Sequence, residues 1–200
     1  MVNVVRTDSS NTDFQRLVAM LDADLKVRDG DQHDFYNQFN KITHIKNAIV
    51  AYVDGVPVGC GAFREFSPDT VEIKRMYVKP EYRGQGVAKT VLATLEQWSE
   101  ELGMKSCVLE TGKNQPEAIQ LYIKTGYKRI PNYGQYDKIE NSVCMNWYFQ
   151  EQILLVLNSV IVISRGQGSN NAYWKRRTSV LPCSTPSIQK ITGLKRRIFR

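Results

Sequence analysis

A short loop with two glycines has the residue types of an anion-binding site. Its sequence is Arg83-Gly84-Gln85-Gly86-Val87-Ala88, and a helical pattern begins at the second glycine. Glycine lets a ligand approach the backbone closely. The free N–H groups and the positive dipole end of a helix start attract phosphate groups. The loop could therefore hold a pyrophosphate, although an ordinary strand-to-helix turn would explain two glycines equally well.

Alternating strand and helix patterns surround this loop. The predicted strands are Val2–Arg6, Ala48–Val53, Val56–Phe66, Val71–Val78, Cys107–Glu110, Tyr127–Ile130 and Ser142–Phe149. The predicted helices are one that begins at Asn11 or Thr12, and those at His33–Phe39, Gly86–Leu102 and Pro116–Thr125. Asp54-Gly55 favours a tight hairpin turn between the second and third strands. An antiparallel run followed by a strand–helix–strand crossover predicts an α/β fold with a mixed sheet flanked by helices.

The basic charge of the chain is concentrated in its last quarter. Residues 1–150 contain 18 Lys or Arg and 19 Asp or Glu, whereas residues 151–200 contain nine basic residues and one acidic residue. The overall charge of +7 therefore gives no reason to expect a nucleic-acid partner for the first 150 residues. We predict one domain over residues 1–149 and, over residues 150–200, a basic tail that is disordered or a non-native extension. A nucleic-acid arm and a membrane-surface segment are alternatives for this tail.

The cysteines and histidines favour neither disulfides nor a metal site. The four cysteines form no CxxC pair, and the chain has only two histidines. The first residues do not have the pattern of a secretion signal, and no apolar run is long enough to span a membrane. We therefore expect reduced thiols, a cytoplasmic protein, no metal and no membrane contact. Cys60 and Cys144 lie in apolar strands, which favours core positions over roles as nucleophiles.

The stretch Ile73–Ala88 resembles motif A of the GCN5-related N-acetyltransferase (GNAT) family. That motif reads Gln/Arg-x-x-Gly-x-Gly/Ala, and Arg83, Gly86 and Ala88 satisfy it. The stretch Ala118–Tyr127 is similar to a second signature of the family. The resemblance extends over residues 1–149 and is strongest in residues 71–127.

The resemblance implies the acyl-CoA N-acyltransferase fold, whose central sheet splays open after the strand 71–78. Acetyl-CoA would lie in that wedge, with its pantetheine paired to backbone groups of Met76 and Val78. A backbone N–H of one of these two residues would polarise the thioester carbonyl. The implied cofactor contacts are Met76, Tyr77, Val78, Arg83, Gly84, Gln85, Gly86, Val87, Ala88 and Asn114.

The resemblance also implies catalytic roles for a tyrosine and a carboxylate. Tyr122 matches the family tyrosine that protonates the departing sulfur of coenzyme A, although a tyrosine of the core is the alternative. Glu72 is the predicted carboxylate that acts on the amine, and a solvated charge paired with Lys74 or Arg75 is the alternative. Glu110, which ends the next strand, is a second candidate. Either carboxylate could instead bind a cationic acceptor.

Two further regions are candidates for binding the acceptor. The loop Pro131–Asn141 often covers the acceptor in this fold, and its candidate contacts are Tyr133, Tyr136 and Asn141. A polar surface loop is the alternative. The N-terminal helices carry a group of acidic residues, namely Asp22, Asp24, Asp29, Asp31 and Asp34. An acidic wall would attract an amine, but most such groups are simply solvated.

The activity implied by the resemblance is that of an N-acetyltransferase. It would move an acetyl group from acetyl-CoA to a primary amine of a small molecule. Because no cysteine–histidine pair is indicated, direct attack in a ternary complex is favoured over an acetyl-cysteine intermediate. Acetylation of a protein lysine or N-terminus, and a non-catalytic module that only binds acetyl-CoA, are the alternatives. The sequence leaves open whether the protein forms a homodimer.

Overall fold

The computed structural model describes residues 1–30, 42–43 and 45–149, without the side chain of Asp29. Several sequence-based predictions lie outside the described residues. They are the helix at His33–Phe39, the acidic residues Asp31 and Asp34, and the basic tail over residues 150–200.

The described residues form a seven-stranded sheet with helices on both faces. The strands are β1 (Val2–Thr7), β2 (Asn47–Val53), β3 (Val56–Ser67), β4 (Thr70–Val78), β5 (Ser106–Gly112), β6 (Lys128–Arg129) and β7 (Ser142–Tyr148). The helices are α1 (Thr12–Asp29), α2 (Val87–Glu101) and α3 (Pro116–Lys124). Short 3₁₀ turns cover Pro80–Tyr82 and Gly134–Tyr136. The strand order is β1-β2-β3-β4-β5-β7-β6, which confirms the predicted mixed α/β architecture.

Local sequence signals set most element boundaries. The Asn11 side chain accepts a hydrogen bond of 2.9 Å from the Phe14 N–H and so caps α1. Asp54 and Gly55 both have positive φ, as the two-residue hairpin turn between β2 and β3 requires. The strand predicted at Tyr127–Ile130 is shorter in the structure, because the Tyr127 N–H donates to a carbonyl of α3 instead of joining the sheet.

Two apolar layers cover the faces of the sheet. Helix α1 packs on one face, where Phe14 and Leu17 lie in one apolar cluster with Tyr77. Helices α2 and α3 pack on the other face, where Val91 and Leu95 lie in one cluster with residues of β4 and β5. The core is therefore divided between the two faces of the sheet, and β4 and β5 contribute to its centre.

The sheet opens between its two central strands. Strands β1 to β4 pair antiparallel, whereas β4 and β5 pair in parallel from Thr70↔Ser106 to Ile73↔Leu109. Strand β4 continues to Val78 without further pairing to β5. The carboxyl halves of β4 and β5 therefore diverge, which is the splay that the resemblance implied.

Candidate active site

Two adjacent cavities occupy the opening between β4 and β5. The larger cavity has a volume of about 340 Å³ and extends from the second half of β4 to the start of α2 and to one side of α3. The smaller cavity, of about 80 Å³, lies between α1, the middle of β4 and the end of β5. The lining residues that the two cavities share are Leu21, Met76, Gln115 and Tyr122. A molecule in each cavity would therefore meet the other at Met76 and Tyr122.

The glycine loop forms one end of the larger cavity. Gly84 and Gly86 have φ values of +75° and +83°, which strongly favour glycine. A Cβ atom at either position would meet nothing within 4 Å, so the space beside the loop is open to a ligand. Gly86 caps α2 without a side-chain hydrogen bond. The N–H groups at the start of α2 are therefore available to an anion.

The cofactor contacts predicted from sequence fall into two groups. Those that line the larger cavity are Met76, Tyr77, Val78, Arg83, Gly84, Gly86, Val87 and Ala88. The other two residues, Gln85 and Asn114, lie outside the lining. The Gln85 side chain donates to the Glu81 carbonyl, and the Asn114 side chain donates to the Arg28 carbonyl at 3.1 Å.

Arg83 shapes the loop through its side chain. Its Nε donates to the Val78 carbonyl at 2.9 Å, and its guanidinium lies 5.8 Å from the centre of the Tyr77 ring. A further hydrogen bond, of 3.3 Å, joins Arg83 to Asp24 of α1. These contacts tie the loop to the end of β4 and to α1, which holds the backbone N–H groups of the loop in place.

A β-bulge interrupts β4 at the point where the two cavities meet. Cys60 pairs with Tyr77 and Ala62 with Lys74, so Arg75 and Met76 both face Gly61 of β3. Arg75 has a φ of +59°, which is uncommon for a residue other than glycine. The bulge disrupts the regular pairing of this stretch with β3. Beyond Ile73 the other edge of β4 does not pair with β5, so that edge is open to a ligand near Met76.

Tyr122 lies at the junction of the two cavities. Its side chain is buried and packs near the Tyr127 ring. Burial, together with the charge of Glu110, raises the pKa of Tyr122. The phenol therefore stays protonated at neutral pH and can serve as a hydrogen-bond or proton donor.

The two candidate carboxylates occupy different environments. Glu72 is only 1% exposed and forms ion pairs with Arg64 at 2.7 Å and with Lys74 at 3.4 Å. The Tyr133 hydroxyl also donates to Glu72 at 3.4 Å. Glu110 lines the smaller cavity, whereas Glu72 is outside its lining. The catalytic role predicted for Glu72 stays a prediction, and the geometry places Glu110 nearer to the junction.

The acidic residues of α1 are used in ion pairs. Asp22 pairs with Arg75 at 2.7 Å, and Asp24 pairs with Arg28 at 3.2 Å and with Arg83 at 3.3 Å. These two carboxylates therefore hold α1 against β4 and the glycine loop. They do not form an acidic wall of unpaired charges.

The loop Pro131–Asn141 turns its aromatic residues toward β4. Tyr136 is buried, its hydroxyl accepts from the Lys74 ammonium at 3.4 Å, and Tyr133 packs edge-on against Tyr136. The Nδ2 of Asn141 is buried and has no hydrogen-bond partner among the described residues. The predicted acceptor loop thus packs beside the smaller cavity, through contacts with Lys74 and Glu72.

Three functional candidates were missed in the sequence. Lys74 and Arg75 line the smaller cavity, and Gln115 lines both cavities. Gln115 directly follows Asn114 before α3, so a predicted cofactor contact lay only one residue from it in the sequence. The two basic residues are consecutive in a strand, and nothing local indicates that both face one cavity.

The thiols of Cys60 and Cys144 are buried, and the possible metal ligands of the described residues do not cluster. Burial raises the pKa of Cys60 to about 12 and that of Cys144 to about 11, so neither thiol ionises readily at neutral pH. Both lie in the core, as predicted. Within residues 1–30, 42–43 and 45–149, no three His, Cys, Asp or Glu side chains are arranged to hold a metal ion. Among the helices described, none is long and apolar enough to cross a membrane.

Comparison with known sequences identifies acetyltransferases. A model of the acetyltransferase (GNAT) family matches residues 14–127. An uncharacterised N-acetyltransferase of Schizosaccharomyces pombe is 37% identical over 92 residues, which cover 46% of this chain and 56% of that protein. An IAA acetyltransferase of Azospirillum brasilense is 35% identical over 89 residues, which cover 44% of this chain and 58% of that protein. The chain thus spans less than two thirds of the length of these curated relatives.

Comparison with solved structures identifies the same fold. A Klebsiella pneumoniae protein assigned as an acyl-CoA N-acyltransferase is 27% identical with a TM-score of 0.63, and the match covers 74% of this chain and 97% of that one. PaiA N-acetyltransferase of Thermoplasma acidophilum, solved with coenzyme A, is 17% identical with a TM-score of 0.57, over 74% of this chain and 99% of that one. At this identity the second match shows the fold alone.

Proposed function

Because the chain belongs to the acetyltransferase (GNAT) family, we propose that it moves an acetyl group from acetyl-CoA to a primary amine of a small molecule by direct attack in a ternary complex. The observation that carries this proposal is the meeting of two cavities at Met76 and Tyr122 inside the splayed sheet. One cavity ends at an anion-binding loop, and the other is small and polar. This arrangement suits a long phosphorylated donor on one side and a compact acceptor on the other.

The residues around the larger cavity fit a donor that carries a pyrophosphate. The loop Gly84–Gly86 leaves open space beside its backbone, and the N-terminus of α2 directs N–H groups toward that space. The unpaired edge of β4 at Met76 and Val78 offers backbone groups to the amide-containing arm. Bound acetyl-CoA supplies an acetyl thioester, whose C–S bond breaks as the C–N bond to the amine forms.

The bulge of β4 would provide electrostatic stabilisation. A backbone N–H near Met76, on the edge of β4 that does not pair with β5, would donate to an oxygen that gains negative charge during the reaction. Because Lys74 and Tyr77 pair with β3 directly before and after the bulge, this donor is already in place before the substrate binds. Such fixed donors lose little energy to reorganisation.

Two side chains would move the protons. Glu110 would take a proton from the acceptor amine, directly or through water, so that the nitrogen has a lone pair for attack. Tyr122 would donate its phenolic proton to the sulfur. In this proposal Glu72 is a positioning residue, because its ion pair holds Lys74 beside the smaller cavity.

The size of the smaller cavity favours a compact acceptor. Its volume of about 80 Å³ accommodates a short aliphatic amine more readily than a length of peptide backbone. Tyr136 of the loop Pro131–Asn141 contacts Lys74, which lines this cavity. The small volume favours a small molecule over a protein as the acceptor.

Release of free thiol from acetyl-CoA, with a panel of small amines and lysine-containing peptides, tests this function. Replacing Tyr122→Phe should lower kcat about 10²- to 10⁴-fold and leave coenzyme A affinity within about threefold. Tyr148→Phe is the matched control, because Tyr148 is exposed on β7. Turnover of peptides alone would establish a protein acetyltransferase instead. Coenzyme A binding without turnover of any amine would establish a binding module.

A further inference from the structure

The bulge of β4 places two consecutive basic residues on the same face of the sheet. Ile73 and Val78 pack in the cluster with α2, whereas Tyr77 packs in the cluster with α1. Regular alternation would put Lys74 and Arg75 on opposite faces. The extra residue of the bulge reverses the alternation after Lys74, so both side chains lie on the face of α1.

Both basic side chains are withdrawn from solvent beside the smaller cavity. Lys74 is 9% exposed and Arg75 is 3% exposed, and both line that cavity. Burial lowers the pKa of Lys74, although the neighbouring charge of Glu72 opposes this effect. Removing two cations from water is costly unless anions or hydrogen-bond acceptors compensate them.

The described residues satisfy only part of the hydrogen-bonding capacity of Lys74 and Arg75. The Arg75 Nη2 donates to Asp22 at 2.7 Å, but its Nε is buried and has no hydrogen-bond partner among the described residues. The Lys74 ammonium has two polar contacts, both at 3.4 Å, with Glu72 and with the Tyr136 hydroxyl. An ammonium has three N–H donors, so Lys74 retains a donor for a ligand.

The charges around the smaller cavity balance in number. Three cations, Arg64, Lys74 and Arg75, lie near three carboxylates, those of Asp22, Glu72 and Glu110. A second ammonium on the acceptor would disturb this balance and face two buried cations. A zwitterion would preserve it, with the amine near Glu110 and an anion near the charges of Lys74 and Arg75.

On these grounds we infer that Lys74 and Arg75 form an anion subsite for the acceptor, and that the acceptor is an amino acid or another amine that carries a carboxylate. This inference rests on the proposed acetyltransferase function and names its substrate class. It also assigns both residues as specificity determinants. The carboxylate would accept a hydrogen bond from the Lys74 ammonium and would lie beside the positive charge of Arg75, since both residues line the smaller cavity.

Matched acceptors test the inference directly. Thiol release from acetyl-CoA should be measured with a panel of amino acids and with the amines that result from removing their carboxylates, such as alanine with ethylamine and serine with ethanolamine. We expect kcat/KM to be at least about tenfold higher for the preferred amino acid than for its decarboxylated partner. Equal or higher kcat/KM for the decarboxylated amines would overturn the inference and leave the acetyltransferase function intact.

Variants locate the effect in the two basic residues. Lys74→Met keeps the length of the side chain and removes its charge, and it should raise KM for the amino acid about tenfold or more without a comparable change for the decarboxylated amine. Arg75→Lys keeps a cation for Asp22 but replaces the planar guanidinium beside the cavity with a smaller ammonium, and it should raise the same KM. Lys105→Met is the control, because Lys105 is an exposed residue far from both cavities. Parallel KM changes for both members of a pair would overturn the subsite.

Calorimetry separates this inference from the acetyltransferase proposal. Amino acids and their decarboxylated partners are titrated into the full chain saturated with coenzyme A. Binding of an amino acid that is lost in Lys74→Met supports the subsite even if no acceptor is turned over. If no carboxylate-bearing amine binds, the subsite is overturned. If no amine leads to release of thiol, the proposed activity is overturned.

Discussion

Replacing Gly86→Ala would separate the role of this glycine in folding from its role in binding the donor. Gly86 has a φ of +83° and caps α2, and a Cβ atom there would meet nothing within 4 Å. The cost to folding is therefore the left-handed backbone alone, about 1–2 kcal/mol for alanine. The added methyl group would, however, occupy the open space that we assign to the pyrophosphate.

Gly103→Ala is the matched control for this substitution. Gly103 follows the other end of α2, has a φ of +81°, and also offers open space to a Cβ atom. Both variants should lower Tm by a similar amount, about 2–8 °C for a domain of this size. Only Gly86→Ala should weaken coenzyme A binding, because the loss of one or more charge-assisted hydrogen bonds of about 1.5–3 kcal/mol corresponds to about 10- to 150-fold in Kd.

Thermal unfolding and isothermal titration with coenzyme A measure the two effects independently. A Gly86→Ala protein that loses stability like Gly103→Ala but keeps the wild-type Kd would refute the assignment of the loop as the pyrophosphate site. Equal weakening of binding in both variants would also refute it, because the effect would then come from α2 as a whole.

Three carboxylates should respond differently to removal of their charge. Glu72→Gln leaves the buried Lys74 without its ion-pair partner and should destabilise the protein by about 3 kcal/mol in urea unfolding. This value is near the low end of the range for buried ion pairs, because Arg64, the other partner of Glu72, is still hydrated by solvent. Glu110→Gln should instead lower kcat about 10²-fold or more without a similar loss of stability, and a rate unchanged from wild type would exclude Glu110 as the proton acceptor. Burial raises the pKa of Glu96 to about 7 from an ordinary value near 4.5. Between these two pH values, the folded state keeps a proton on Glu96 that the unfolded state has lost. The stability of the folded state therefore falls as pH rises from about 4.5 to 7. Glu96→Gln should remove that part of the pH dependence and be more stable than wild type at pH 8, and identical pH profiles in urea unfolding would contradict this interpretation.

Much of the fold followed from local signals in the sequence. The Asn11 cap, the Asp54-Gly55 turn and the glycine that ends α2 each act through the conformation of one or two residues. Such effects depend little on distant parts of the chain, so they can be recognised without a structure. The same holds for the loop Arg83–Ala88, to which we assign the pyrophosphate and whose glycines and helix start are consecutive in the sequence.

The roles of the carboxylates needed the tertiary structure. Glu72 and Glu110 look alike in the sequence, since each lies in an apolar strand. In the fold, Glu72 is enclosed by Arg64 and Lys74 from β3 and β4, whereas Glu110 lines the smaller cavity. Asp22 and Asp24, which could have been solvated or could have bound an amine, pair with arginines distant in the sequence.

The sequence by itself determined the order of the described strands and helices, the glycine loop at the start of α2 and the resemblance to acetyltransferases, because short-range patterns of glycine, cap residues and apolar spacing encode them. Only the tertiary structure decided which side chains line the smaller cavity. The bulge at Arg75 comes from pairing between β3 and β4 and places Lys74 and Arg75 on the same face. A single extra residue reverses the alternation of a strand, and strand pairing, which joins distant parts of the chain, determines where that residue lies.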